Sequence, residues 1–262
     1  NITFTSTVNG TVDFTQNLTL TTGGGSIDFQ DGVGLVTDLG DVNIVSALNV
    51  TTDVNGFNAN TLIQAAGTGA TQFDGAVILN AVGGMDLTTS TVTINSTINT
   101  LAAGTGGSVT ITNGGLLTIA AAADMTLDGT FLQDGAGGVS TAGDITTSND
   151  NIYFTRGVTL TGAVSLGTNI GIGTITFNST LNGTTDFVEN LTLTAGTGAI
   201  DFDQAVGAII DPGDVSIVSA GNVTADGVFL ADTLSQIAGT GTSTFTGAVT
   251  INDSGAGPAL DL

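Results

Sequence analysis

Carboxylates are almost the only side chains in this sequence with reactive potential. The chain has 23 acidic residues and one cationic side chain, Arg156, with no Lys, His or Cys. Asp201 and Asp203 lie two apart in an alternating stretch, which puts both carboxylates on one face. A carboxylate pair is the minimum apparatus for cleaving a glycosidic bond. That chemistry also needs a base or a cationic stabiliser nearby. In a second copy of the same stretch, Asp28 matches Asp201 but Gln30 stands where Asp203 is. The pair is not kept within the chain, so no residue is assigned as catalytic or cofactor-binding, and the chain is read as not an enzyme.

Calcium is the stronger chemical candidate, because Asp-rich turns offer hard oxygen ligands. Ser148-Asn149-Asp150-Asn151 and Asp201-Phe202-Asp203 are the densest groups. Neither has EF-hand spacing, and the Gly-Gly-x-Gly-x-Asp nonapeptide is absent. Asp and Asn also collect at chain corners because they tolerate left-handed backbone. No metal ligand is therefore assigned, and calcium is left as the one cofactor to look for. Thr-x-Thr pairs recur (Thr19/Thr21, Thr110/Thr112, Thr192/Thr194), but they do not recur at one place in the coil, as an ice-binding face would require. Ten Asn-x-Thr/Ser sequons begin at Asn1, Asn9, Asn17, Asn49, Asn95, Asn178, Asn182, Asn190, Asn222 and Asn252. Stacked Asn side chains at corners are their structural alternative. Tyr153 and Arg156, three apart, allow a surface stacking contact.

The elements that must position these groups are short strands. Ile2/Phe4, Val12/Phe14, Leu18/Leu20 and Ile27/Phe29 alternate with polar residues, apolar in and polar out. Forty Gly, with many Thr and Asn, argue against long helices. Ala120–Ala123 reads as strand and turn, with Ala filling a narrow stretch of core. An aromatic or Ile followed four residues later by an apolar residue marks Phe4, Phe29, Phe73, Ile94, Phe154, Phe177, Phe202 and Phe245. The gaps are 25, 44, 21, 60, 23, 25 and 43 residues; the long ones are multiples of a step of about 20–25. A larger unit lies above it: 1–80 resembles 174–252 at an offset near 173 residues, with Ile27-Asp28-Phe29 matching Ile200-Asp201-Phe202. The period predicts an all-β, single-stranded parallel β-helix (β-solenoid) running through 1–262 as one continuous segment. The recurring Phe residues should point inward and lie on one wall of it.

A net charge of −22 repels nucleic acid and anionic lipid and favours cations or basic partners. Salt or divalent ions should therefore raise the melting temperature. The absence of cysteine suits a chain exported unfolded but does not fix the compartment. The longest apolar run, near Leu116–Ala123, is too short for a membrane span. Asn1 and Leu262 both fall within strand patterns, so the expectation is a slice of something longer, whose ends meet repeat-like partners.

The runs Ala142–Phe154 (AGDITTSNDNIYF), Gly157–Asn169 (GVTLTGAVSLGTN) and Gly173–Phe187 (GTITFNSTLNGTTDF) resemble the β-strand repeats of giant filamentous-haemagglutinin-like bacterial surface adhesins. The likeness covers essentially the whole chain and is one of repeat style. It implies a right-handed parallel β-helix, export to the cell surface, and an adhesive or matrix role. The family's secretion module and receptor-binding regions have no counterpart in these residues. The expectation is thus a structural or adhesive extracellular rod or filament segment. Its partners would be further copies, end to end or side by side, or ligands on a host or neighbouring cell surface, together with cations. The alternatives are a polysaccharide-active β-helix enzyme and an ice- or calcium-binding solenoid.

Overall fold

The computed structural model describes residues 1–100, 107–253 and 259–262. It is all-β, with parallel strands stacked as solenoid coils, about 11 among the described residues. The chain forms two compact units, Asn1–Gly137 and Gly138–Leu262.

In the first unit each coil has three walls. The first wall stacks Ile2–Phe4, Ile27–Phe29, Val50–Thr52, Ala70–Phe73, Thr91–Ile94 and Leu117–Ile119. The second runs through bridges at Val8, Val33 and Phe57 to Val77–Leu79, Ile98–Asn99 and Met125–Leu127. The third stacks Leu18–Thr21, Leu39–Ser46, the end of Phe57–Gln64, Met85–Thr89, Val109–Asn113 and Phe131–Gly135.

The second unit repeats the plan. One wall stacks Ile152–Phe154, Ile175–Phe177, Ile200–Phe202, Val223–Ala225 and Ser243–Phe245. A second carries Val139–Thr141, Val158–Leu160, Leu181–Asn182, Val206, Phe229–Ala231 and Val249–Ile251. A third carries Ile145–Thr147, Val164–Gly167, Leu191–Thr194, Asp214–Ser219, Thr233–Gln236 and Leu260–Asp261. Register steps between coils run from 19 residues (Val139 to Val158) to 27 (Val164 to Leu191). The expected 20–25 is therefore slightly narrow, because the longest step houses an extra turn.

Alternation explains the walls. Along Ile200–Phe202 the outer residues are buried and Asp201 between them faces out. Phe29, Phe73, Phe154, Phe177 and Phe202 are each at most 1% exposed, whereas Phe4 and Phe245, in outermost coils of their units, are half-buried. The expected single wall holds only within each unit: Phe4, Phe29 and Phe73 belong to one sheet, and Phe154, Phe177, Phe202 and Phe245 to another. Phe154, Phe177 and Phe202 stack nearly parallel with centroids 5.4 and 5.2 Å apart. The 44- and 43-residue gaps between Phe residues each contain one coil in which a smaller residue, Thr52 or Ala225, takes the Phe position. Beside each of these, a Phe from the second wall fills the space: Phe57 meets Phe29 edge-on, and Phe229 does the same to Phe202. Ala120–Ala123 is a turn, closed by the Ala123 N–H to the Ala120 carbonyl, but only Ala123 is buried; Ala121 and Ala122 face solvent and fill no core.

Burying an aromatic ring within a stack leaves it no room to be replaced cheaply. Phe177→Ala should cost about 3–5 kcal/mol. Phe245→Ala, at a half-buried site, should cost distinctly less. Urea titration followed by circular dichroism gives both numbers; equal losses would contradict the stacking account.

Candidate functional site

The carboxylates singled out by sequence turn out to be part of the coil wiring. Asp201 lies half-buried on the outer face of Ile200–Phe202, and Asp203 sits at the corner just after it. Burial pushes the Asp201 carboxyl above its usual range; Asp203 and Asp226 push the same way, and a hydrogen bond from Thr224 opposes them. In the first copy the Gln30 amide donates to the Asp28 carboxylate at 2.8 Å, so an amide–carboxylate contact stands where two carboxylates face each other. Ser148–Asn151 forms a corner: Asn149 has left-handed backbone, and the Asn151 amide oxygen accepts the Thr174 N–H on the next coil. Among the described residues no three His, Cys, Asp or Glu side chains gather where they could hold a metal ion. Thr110 and Thr112 stack on Asp86 and Thr88, and on Leu132 and Asp134 on the other side, so these Thr-x-Thr pairs do not build a flat array. The Tyr153 hydroxyl receives the Asn178 amide.

All ten sequon asparagines use their side chains in hydrogen bonds. Asn1, Asn9, Asn17, Asn49, Asn182, Asn190 and Asn222 each accept a backbone N–H with Oδ1. Asn95, Asn178 and Asn252 donate with Nδ2 to Asp74, Tyr153 and Asp211. Seven of the ten thus satisfy a backbone donor of the neighbouring coil.

The surface feature that most departs from a plain coil was misread in the sequence. Val12 and Phe14 alternate like a core strand. In the structure 11–15 is a turn, with Val12 60% and Phe14 39% exposed. The reason is local. The Gln16 side-chain oxygen accepts the N–H groups of Thr11 and Val12 at 2.9 and 3.1 Å, which curls the chain back on itself. A neighbouring turn, 34–38, is zipped to it. The Asn9 oxygen accepts Val36 N–H, Gly10 N–H donates to Thr37, Phe14 N–H donates to the Asp38 carbonyl, and Asp13 Oδ1 accepts Asp38 N–H. Gly34 has φ of 68°, and a Cβ there would lie 2.1 Å from the Asn58 carbonyl oxygen, so only Gly fits.

The second unit builds the same pair of turns from 182–190 and 207–213. Asn182 accepts Ile209 N–H, Gly183 donates to Ile210, Phe187 donates to Asp211, and Asp186 accepts Asp211 N–H. Glu189 replaces Gln16: its carboxylate accepts Thr184 and Thr185 N–H at 3.1 Å each and the Thr184 hydroxyl at 2.6 Å. Burial pulls this carboxyl upward, but the Thr184 hydroxyl and the N–H donors outweigh it and hold it below its usual range. Asp38 and Asp211 shift the other way. Burial raises both, the adjacent Asp13 or Asp186 adds to it, and side-chain donors on Asn58 or Asn252 oppose.

Phe14 and Phe187 have φ of 61° and 65°. A bulky side chain in left-handed backbone costs of order 1–3 kcal/mol. The chain accepts that strain twice, at equivalent places. Each pair of turns displays apolar side chains beside paired carboxylates: Val12, Phe14 and Val36 (83% exposed) in one, and Val188 and Ile209 (80% exposed) with the half-buried Phe187 in the other. The signal that could have located them is the preserved string Asn-Gly-Thr-x-Asp-Phe at Asn9–Phe14 and Asn182–Phe187. Comparison of the chain with protein-family models, with curated proteins and with solved structures finds no match.

Asp38, Asp201 and Asp211 carry raised pKa values in the folded protein, so the fold holds their protons more tightly than the unfolded chain does. Their contribution to stability rises as pH falls from neutrality towards 3.8, the usual Asp value. Glu189, held low, acts oppositely, and its contribution is lost as pH falls through its folded value. Three groups oppose one, and mutual repulsion of the acids also relaxes, so the melting temperature should be higher near pH 5 than at pH 7. The Asp38→Asn/Asp211→Asn variant should show a shallower pH slope by calorimetry. A wild-type melting temperature that falls on acidification to pH 5 would reject this balance.

Proposed function

We propose that this chain is a structural and adhesive segment of an extracellular or cell-surface repeat protein. The observation that carries the reading is the pair of turns: the same hydrogen-bonded surface is built twice, from stretches about 173 residues apart, on stacked coils. A scaffold of stacked coils that carries the same surface more than once suits multivalent attachment, where linked weak contacts gain avidity. The strand-repeat resemblance to filamentous-haemagglutinin-like adhesins supports the same reading and carries with it export to the cell surface. Further copies, or molecules on a neighbouring cell, are the partners it implies. Cations would serve to screen the acidic surface.

The reading has a direct test. A chain lengthened by one further 173-residue unit, imaged by negative-stain electron microscopy, should give particles longer by about eight coils, or ~38 Å. Beads coated with the lengthened chain should adhere to cells more strongly than beads with the same mass of the original. Particles that grow in all directions, or beads that adhere no better than albumin-coated ones, would overturn it.

A further inference from the structure

We propose that each pair of turns is a docking surface for a basic segment of a partner protein in which cationic and apolar side chains alternate. The geometry supplies both halves of that description. The apolar half is Val12, Phe14 and Val36 in the first unit and Phe187, Val188 and Ile209 in the second, all on turns zipped side by side by backbone hydrogen bonds. The exposed ones have no role in any core, and two of the six, Phe14 and Phe187, are held in left-handed backbone that a relaxed turn would avoid. The anionic half is Asp13 with Asp38, and Asp186 with Asp211. In each pair one carboxylate accepts the backbone N–H of the other residue, which fixes the two acids together beside the apolar side chains.

Charge decides the occupant. A second copy of this chain brings one cationic side chain against 23 acids and cannot complement two acidic pairs. A divalent ion would meet the carboxylates and leave the apolar side chains bare. A segment with Lys or Arg next to Leu, Ile or Phe satisfies both, since cations answer the Asp pairs and apolar side chains cover the valine, isoleucine and phenylalanine. The acids stand at equivalent places in the two copies and are tied by the same hydrogen bond, so both surfaces should take the same segment.

The inference deepens the adhesive reading by naming the chemistry of the partner, and its test needs no cell and no filament. The probe is a synthetic ten-residue peptide of alternating Lys and Leu, titrated calorimetrically into the full chain at ~150 mM salt, where diffuse attraction is screened beyond about 8 Å. Two peptides should bind per chain. Val36→Ser/Asp38→Asn should leave one site, and adding Ile209→Ser/Asp211→Asn should weaken binding at least ~10-fold. Val82→Ser/Asp86→Asn removes the same kind of groups elsewhere and should bind two peptides like the parent. The substituted valines and isoleucine are among the most exposed apolar residues, so the variants should fold, which their melting curves will verify. Stoichiometry that tracks net charge, or equal loss in the Val82/Asp86 variant, would overturn the proposal. If the peptide binds as described but the lengthened chain gives no longer particles, the docking surface stands and the adhesive-segment reading fails. If the particles lengthen but the peptide does not bind, the reverse holds.

Discussion

A β-coil cannot satisfy its own backbone. Each short wall strand points its N–H and C=O groups along the stacking direction, where only the next coil can meet them. The in-register parallel ladder is therefore the constraint that governs everything else. It fixes which residues sit above one another, so an inward Phe must tolerate an inward residue of the same wall one coil on. It also makes the corners difficult, because there the chain leaves the ladder while its donors still need partners. Asn side chains reach across and accept those donors: Asn17 takes Asp41 N–H and Asn190 takes Asp214 N–H, both at 2.8 Å.

Inside the corners the same demand produces buried polar residues. Gln133 is fully enclosed and donates to Asn113, to Asp134 O and to Gly137 O; Thr168 donates to Gly173 O. In these positions a polar side chain stabilises because it meets carbonyls that the bend has freed. Gln64 is an incomplete case. Its oxygen accepts the Thr71 hydroxyl, while its amide nitrogen has no partner among the described residues. Gly67 packs so close that a Cβ there would lie 2.3 Å from that nitrogen, so the bend is tight as well as polar.

The solenoid was legible in the sequence because two strong signals coincide in it. Alternation marks the walls, and the recurrence of Phe marks the coil period. The skipped steps of 44 and 43 residues were readable, with Thr52 and Ala225 standing in for Phe in the intervening coils, but the 60-residue gap was not three steps of one wall, because Ile94 and Phe154 lie in different sheets. What misled was alternation without a coil behind it. Val12 and Phe14 have strand spacing, yet Gln16 curls their turn outward, and no rule of periodicity registers a side-chain oxygen capping two amides. The Asp201/Asp203 pair was half legible: shared proximity was correct, but Asp226, which joins them from the next coil, is 23 residues from Asp203 and is invisible without register. The paired turns were present in the text as a preserved six-residue string, but their surface exposure depended on contacts with a second turn about 25 residues away.

The acidity of the chain follows from the same constraint. Corners need acceptors more than they need charge, and carboxylates and side-chain amides do this job interchangeably. Between the two copies Gln16 becomes Glu189 with the turn's N–H bonds unchanged, and Gln30 becomes Asp203 at an equivalent corner. Asp41 and Asp214 each accept a hydroxyl from the next coil, Thr61 or Thr233. Lys and Arg can only donate, so at a site that must accept they are excluded by chemistry whatever their effect on net charge. A solenoid wired through acceptor corners thus accumulates negative charge as a by-product of hydrogen-bond satisfaction. The compensating cations must then come from outside the fold, as salt or as a partner's side chains. Such a surface attracts positive charge without any residue having been placed for that purpose. The paired turns differ from the rest of this surface in adding exposed apolar side chains to the acids, at the expense of backbone strain.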